Sequence, residues 1–142
     1  MLQVKHLLQE KGSEIFTIEA DKPVLDAIRQ MAERGIGSLL VMRGEELVGI
    51  VSERDYARKV ILKGRSSAQT PVAEIMATSV LTIGPADTVE TCMRLCTDQR
   101  VRYLPVIEDG KVVGLLSLGD LIKAVISEQT EQIEQLQRYI AG

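Results

Sequence analysis

Apolar residues along the chain switch between strand-like runs and helical spacing, and the same sequence of switches occurs twice. Ile15-Phe16-Thr17-Ile18 reads as a short strand. Pro23 suits a first helical position, and Val24, Ala27, Ile28 and Met31 follow with helical spacing. Ser38 to Met42 and Leu47 to Val51 are two strands around Arg43-Gly44-Glu45-Glu46, after which Tyr56, Ala57, Val60 and Ile61 mark the apolar face of a closing helix. The second pass runs from a strand at Val80 to Ile83 to a helix on Val89, Cys92, Met93 and Cys96, with Asp87 and Thr88 as candidate caps. Strands Tyr103 to Ile107 and Val112 to Leu116 flank Asp109-Gly110, a strong hairpin signal, and Leu121, Ile122, Val125 and Ile126 form the apolar face of the closing helix. Each pass is therefore strand, helix, strand, strand, helix.

Residues 15 to 61 align with 80 to 126 at a constant offset of 65 without a gap, and 12 of the 47 aligned positions are identical. The identities include polar and special positions: Thr17 with Thr82, Gly49 with Gly114, Ser52 with Ser117, and Asp55 with Asp120. A core requires only the apolar period to repeat, so a repeated polar pattern points to two equivalent sites. A short leading turn, Val4, Leu7 and Leu8, is matched by Val72, Ile75 and Met76 at an offset of 68, so three extra residues lie in the loose stretch around Lys11-Gly12-Ser13. The predicted organisation is repeat 1 over 1–63, a polar linker over 64–71, repeat 2 over 72–127 and a helical tail over 128–142. In the tail, Ile133, Leu136, Tyr139 and Ile140 form a narrow apolar stripe that suits docking on this chain or on a second copy. Alone the tail is too short for a stable coiled coil.

With 142 residues and 45% hydrophobic content, the chain suits two small halves that share a core better than two independent domains. A net charge of −3 and a pI near 5.3 argue against a nucleic-acid binder with a broad basic surface. The sequence shows neither a membrane-span run nor the apolar stretch of a signal peptide, which places the expected protein in the cytoplasm, away from membranes. Cys92 and Cys96 share a helical face, as a thiol pair would, but align with apolar Ala27 and Met31 and so read as buried hydrophobes. His6 is the only histidine, and no metal cluster surrounds it.

The chemistry concentrates in Gly49-Ile50-Val51-Ser52-Glu53-Arg54-Asp55 and Gly114-Leu115-Leu116-Ser117-Leu118-Gly119-Asp120. Each places a hydroxyl and, three residues on, an acid at the mouth of a helix. Free backbone N–H groups there favour an anion, and a carboxylate can accept two ribose hydroxyls, so the set suits a nucleotide. The same spacing also forms a capping box, and both uses can coexist. Arg54, Arg58, Lys59, Lys63 and Arg65 follow Ser52, against Lys123 alone after Ser117, while Arg100 and Arg102 replace Gly35 and Gly37. The two sites should therefore differ in charge. With a single His, no Walker lysine and no glycine fingerprint, no residue is assigned a catalytic or metal-binding role.

The duplicated order and the paired Gly-x-x-Ser-x-x-Asp segments resemble a tandem pair of CBS domains, a Bateman module, over residues 4 to 126. Leu104-Pro105-Val106 also resembles the family's second strand, where the first copy has Leu39-Leu40-Val41. The resemblance implies an α/β (α+β) fold of two β-α-β-β-α repeats about a pseudo-twofold axis, with clefts between repeats that take AMP, ADP, ATP, NAD or S-adenosylmethionine. It implies nucleotide-binding roles for Thr17, Ser52, Asp55, Thr82, Ser117 and Asp120, with the two Asp residues on ribose hydroxyls; Arg54, Arg58 and Arg102, as cations near the motifs, and Pro105 complete the expected nucleotide site. It also implies a homodimeric, stand-alone regulatory module that signals to an effector protein in trans. The competing expectation is a ligand-free interaction scaffold in which both motifs serve only as helix caps.

Overall fold

A computed structural model of the chain describes residues 2–12 and 14–141. Its elements are α1 (Val4–Lys11), β1 (Thr17–Glu19), α2 (Val24–Arg34), β2 (Ser38–Arg43), β3 (Glu46–Ser52), α3 (Glu53–Tyr56), α4 (Val89–Gln99), β4 (Tyr103–Glu108), β5 (Lys111–Ser117) and α5 (Leu118–Ala141). The fold is α+β, in two compact units: Ile15–Val80, and Met1–Glu14 together with Leu81–Gly142. Their boundaries cross those of the sequence repeats, because each leading segment packs into the unit built from the other copy. No helix among the described residues is long and apolar enough to cross a membrane.

In the unit Ile15–Val80, β1 pairs parallel with β2 (Ile18 opposite Val41) and β2 pairs antiparallel with β3 (Leu40 opposite Ile50). Leu39, Leu40 and Val41 are all fully buried, as expected of a central strand covered on both faces. Pro23 lies just outside α2 in extended conformation, as its N-cap and not its first residue, and Gly35 closes the helix at φ 64°. Val72 and Ile75, from the leading segment of the second repeat, complete this core. They are fixed by the Val72 N–H to Lys22 O at 2.8 Å, the Ala73 N–H to Ala20 O at 2.9 Å and a bridge between Ile50 and Ala77. The closing helix departs from expectation: α3 lasts four residues and passes into a π-helical turn, Ala57–Ile61.

In the other unit, β4 and β5 form a two-stranded antiparallel sheet, and Asp109 and Gly110 make its turn with φ of 51° and 77°, the left-handed pair a type I′ turn requires. Val4 and Leu7 of α1 join Ile83, Cys92, Leu104, Val106, Leu116 and Leu121 in its core. The Val4 N–H donates to Asp87 O and the Lys5 N–H to Pro85 O, while the Gln3 N–H donates to His6 Nδ1 at 3.0 Å.

The strand expected over Val80 to Ile83 is reduced to one parallel bridge, Ile83 with Val106. In the first copy the β1 ladder is flanked by the Leu40 N–H to Phe16 O and the Ala20 N–H to Met42 O. Their counterparts at the offset of 65 are Pro105 and Pro85, which have no N–H to donate. The helical tail expected over 128–142 is formed as the continuation of α5, which runs to Ala141 without a break. In its apolar stripe, Ile133, Leu136, Tyr139 and Ile140 are all exposed.

Candidate functional site

Both motifs fold as strand-to-helix corners, and the corner is built the same way twice. The Glu53 N–H donates to Gly37 O at 3.1 Å, and the Leu118 N–H to Arg102 O at 2.8 Å, so the turn preceding the hairpin pins the start of the helix. At the first corner the Ser52 N–H and hydroxyl donate to Asp55 Oδ2 at 3.0 and 2.9 Å, and Ser52 Oγ accepts the Asp55 N–H at 3.2 Å. At the second, the Ser117 N–H donates to Asp120 Oδ2 at 2.8 Å and Ser117 Oγ accepts the Asp120 N–H at 3.1 Å. Each corner is thus a reciprocal capping box. The cap leaves acceptor capacity on each carboxylate, which offers about four lone-pair sites.

Each acid also faces a lysine. Lys59 Nζ lies 3.4 Å from Asp55 Oδ1 and donates to Ile75 O at 2.9 Å. Lys11 Nζ donates to Asp120 Oδ2 at 2.7 Å and to Leu115 O at 2.9 Å. Burial pushes the Asp120 carboxyl up, but hydrogen bonds from Lys11 and Ser117 and the ammonium charge outweigh it and hold the group below its ordinary value. Beside this corner, within one unit, lies an open cavity of about 200 Å³ lined by Leu7, Glu10, Lys11, Leu116, Asp120 and Lys123. Pockets that enclose drug-sized ligands measure about 300–1,000 Å³. The cavity accommodates a sugar or a phosphate more readily than a whole nucleotide.

The structure gathers the expected residues unevenly. Ser52 with Asp55, and Ser117 with Asp120, are brought together. Thr17 opens β1 with its carbonyl accepting from Gln30, and Thr82 stands exposed just before the Ile83 bridge. Pro105 is buried on β4 opposite Leu115, and Arg102 is an exposed residue whose carbonyl supports the second corner. Arg54 and Arg58 are exposed and make no side-chain hydrogen bond or ion pair among the described residues. Sequence reasoning missed Lys11 and Lys59 as partners of the two acids. The i,i+4 spacing of Lys59 on Asp55 was a readable signal, whereas nothing local joins Lys11 to Asp120. The lysine from α1 also evens out the charge contrast between the motifs that their flanking residues suggested.

The two shared glycines have a packing role. A Cβ on Gly49 would stand 2.7 Å from both Ala77 O and Met76 Sδ, and one on Gly114 would stand 2.5 Å from Leu8 Cδ2. Leu8 and Met76 are the matched ends of the two leading segments. Cys92 and Cys96 are buried free thiols, and Cys92 is pushed up to about 11 by burial, with Asp87 and Cys96 adding to it, so the pair behaves as apolar filling.

The family model for the CBS domain matches this chain twice, over residues 5–62 and 72–127. The chain belongs to the CBS domain family. Its two matches make it a CBS pair, a regulatory module. The CBS domain-containing protein CBSX3, mitochondrial, of Arabidopsis thaliana is 42% identical over 127 residues, covering 86% of this chain and 62% of that protein. The chain therefore spans under two thirds of that CBS relative. The crystal structure of the CBS domain NE2398 is 51% identical, with a TM-score of 0.84 over 89% of this chain and 99% of that one. The CBS domain pair of MJ0100, in complex with 5′-methylthioadenosine and S-adenosyl-L-methionine, shares the fold at 21% identity and a TM-score of 0.79, over 90% of this chain and 98% of that one.

Proposed function

We propose that this CBS pair is a regulatory module that binds adenosine-containing nucleotides of the AMP, ATP or NAD class and passes their presence to an effector protein in trans. The observation that carries the reading is the duplicated corner, where a helix start and a hydroxyl stand beside a carboxylate with acceptor capacity to spare. Asp55 and Asp120 are assigned the ribose hydroxyls, with Ser52, Ser117, Thr17 and Thr82 beside the sugar and phosphate. Arg54 and Arg58 supply charge at the first motif, and Arg102 and Pro105 border the second. The adenosine ligands of MJ0100, a pair of the same fold, support the ligand class. The module works without catalysis, and its proposed compartment is the cytoplasm, where buried free thiols persist. Fractionation of cells producing the tagged protein tests the compartment; its recovery with an organelle overturns it.

The second reading is the ligand-free scaffold, favoured by one observation: both acids are already engaged in capping boxes and lysine pairs. Thermal unfolding with AMP, ADP, ATP, NAD, NADH and S-adenosylmethionine separates the two, because a ligand bound only to the folded state raises the transition. A saturable rise that Asp55→Asn or Asp120→Asn abolishes supports the nucleotide module. Flat responses to all six ligands from folded, nucleotide-free protein support the scaffold.

A second copy of the chain is the proposed partner of α5. Ile122, Ile126, Ile133, Leu136 and Ile140 follow the alternating three-and-four spacing of a coiled-coil seam, with Gln129 its only polar position. Glu128, Glu131 and Glu134 lie off the seam, and of the residues that flank it, Lys123, Val125, Thr130, Gln132, Gln137 and Tyr139, only Lys123 carries a charge.

A further inference from the structure

We infer that Lys11 sets ligand choice at the second motif, selecting nucleotides that carry a phosphate over uncharged nucleosides and cationic adenosine derivatives. The inference rests on the nucleotide reading above. Lys11 reaches Asp120 from α1, across a sequence separation of 109 residues, and its ammonium occupies Asp120 Oδ2 and Leu115 O. It sits on the carboxylate that ribose hydroxyls need. Its side chain is 43% exposed, so it can swing away without disturbing the core.

A ribose that takes Asp120 leaves this ammonium without its anion. An uncharged nucleoside offers no replacement, and its binding carries the whole cost of breaking the pair. A sulfonium adds like charge. A phosphate on the same sugar gives the released ammonium a new partner through a charge-assisted hydrogen bond. Lys123 lines the same cavity and adds a second cation, against Glu10 and Asp120 as its acids. At the first corner the pair is looser: Lys59, on the same run of helical turns as Asp55, stands 3.4 Å from Asp55 Oδ1, against 2.7 Å between Lys11 and Asp120 Oδ2.

The test is calorimetric titration with AMP, adenosine and S-adenosylmethionine in an Asp55→Asn background, which confines the readout to the second motif. Lys11→Met should weaken AMP about tenfold, the scale of a lost hydrogen bond between charged groups. The same change should tighten adenosine about two- to fivefold, the scale of an exposed ion pair removed. Lys11→Arg should keep the preference for AMP. Movement of AMP and adenosine in the same direction, or an unchanged ratio between them, overturns the role of Lys11, while loss of binding in Asp120→Asn keeps the nucleotide reading. Absence of binding by all three ligands, with Asp55 intact or substituted, overturns both.

Discussion

Leu8 packs against the backbone of Gly114: a Cβ at that glycine would stand 2.5 Å from Leu8 Cδ2. At Gly49 the obstacles are Met76 Sδ and the backbone Ala77 O, both at 2.7 Å. A methyl group at either position overpacks a filled site, at a cost of about 1–3 kcal/mol. The end of a leucine side chain can rotate aside, but a carbonyl held in a bridge cannot. Gly49→Ala should therefore lower the urea midpoint more than Gly114→Ala, and equal midpoints would show that Ala77 yields as easily as Leu8.

The exchange of leading segments predicts where damage appears. Leu7→Ala and Ile75→Ala each remove a buried side chain, at about 2–5 kcal/mol. Leu7 belongs to the first repeat in sequence, yet packs in the core with Leu104, Val106 and Leu116. Hydrogen exchange should accelerate in β4 and β5 for Leu7→Ala, and in β2 and β3 for Ile75→Ala. The reverse pattern would mean that the segments stay with their own repeats.

Arg100 closes α4 at φ 55°, where the first copy uses Gly35 at φ 64°. A left-handed non-glycine residue costs about 1–2 kcal/mol, and glycine loses about 0.5–1 kcal/mol of backbone entropy. The difference favours glycine. Arg100→Gly should stabilise the protein by about 0.5–1 kcal/mol in thermal unfolding, and a fall in melting temperature would show that the arginine side chain contributes more than its backbone costs.

Asp120 gives stability a defined pH dependence. Its folded-state value is lowered, so its contribution is complete above the ordinary carboxyl range and is lost as the pH falls through the folded value. Lys11→Met removes the largest lowering influence, so the Asp120 carboxyl should titrate higher, and less stability should be lost on acidification. Carboxyl NMR titration of both proteins measures this directly. An Asp120 titration unmoved by Lys11→Met would assign the lowering to Ser117 alone.

These sites show what the sequence carries and what it leaves out. The strand-helix order and hairpin turns were legible because local periodicity and Asp109-Gly110 encode them. Reciprocal bonding of Ser52 with Asp55, and of Ser117 with Asp120, followed from their three-residue spacing. The missing strand at Val80 was also written there, in Pro85 and Pro105, which remove two donors that the first copy uses. The segment exchange was not legible, because Leu8 on Gly114 and Lys11 on Asp120 are contacts across about 105 residues that no local pattern marks.

The seam on α5 predicts a weak dimer. The helix begins on buried Leu121 and runs 24 residues, about 36 Å, so its outer turns extend a formed helix and escape the nucleation cost that makes a lone tail unstable. Ile126, Ile133, Leu136 and Ile140 are more than half exposed. Covering such side chains contributes about 1–2 kcal/mol each, or of order 10 kcal/mol over two helices. Association costs about 4–15 kcal/mol, so little remains. Dimerisation should accordingly be reversible over micromolar concentrations, and sedimentation should show the monomer fraction rising on dilution. Ile133→Asp places a charge at the middle of the seam and should give monomer throughout, with unfolding of the rest of the chain unchanged because Ile133 is more than half exposed. A dimer that survives Ile133→Asp would assign the contact to another surface.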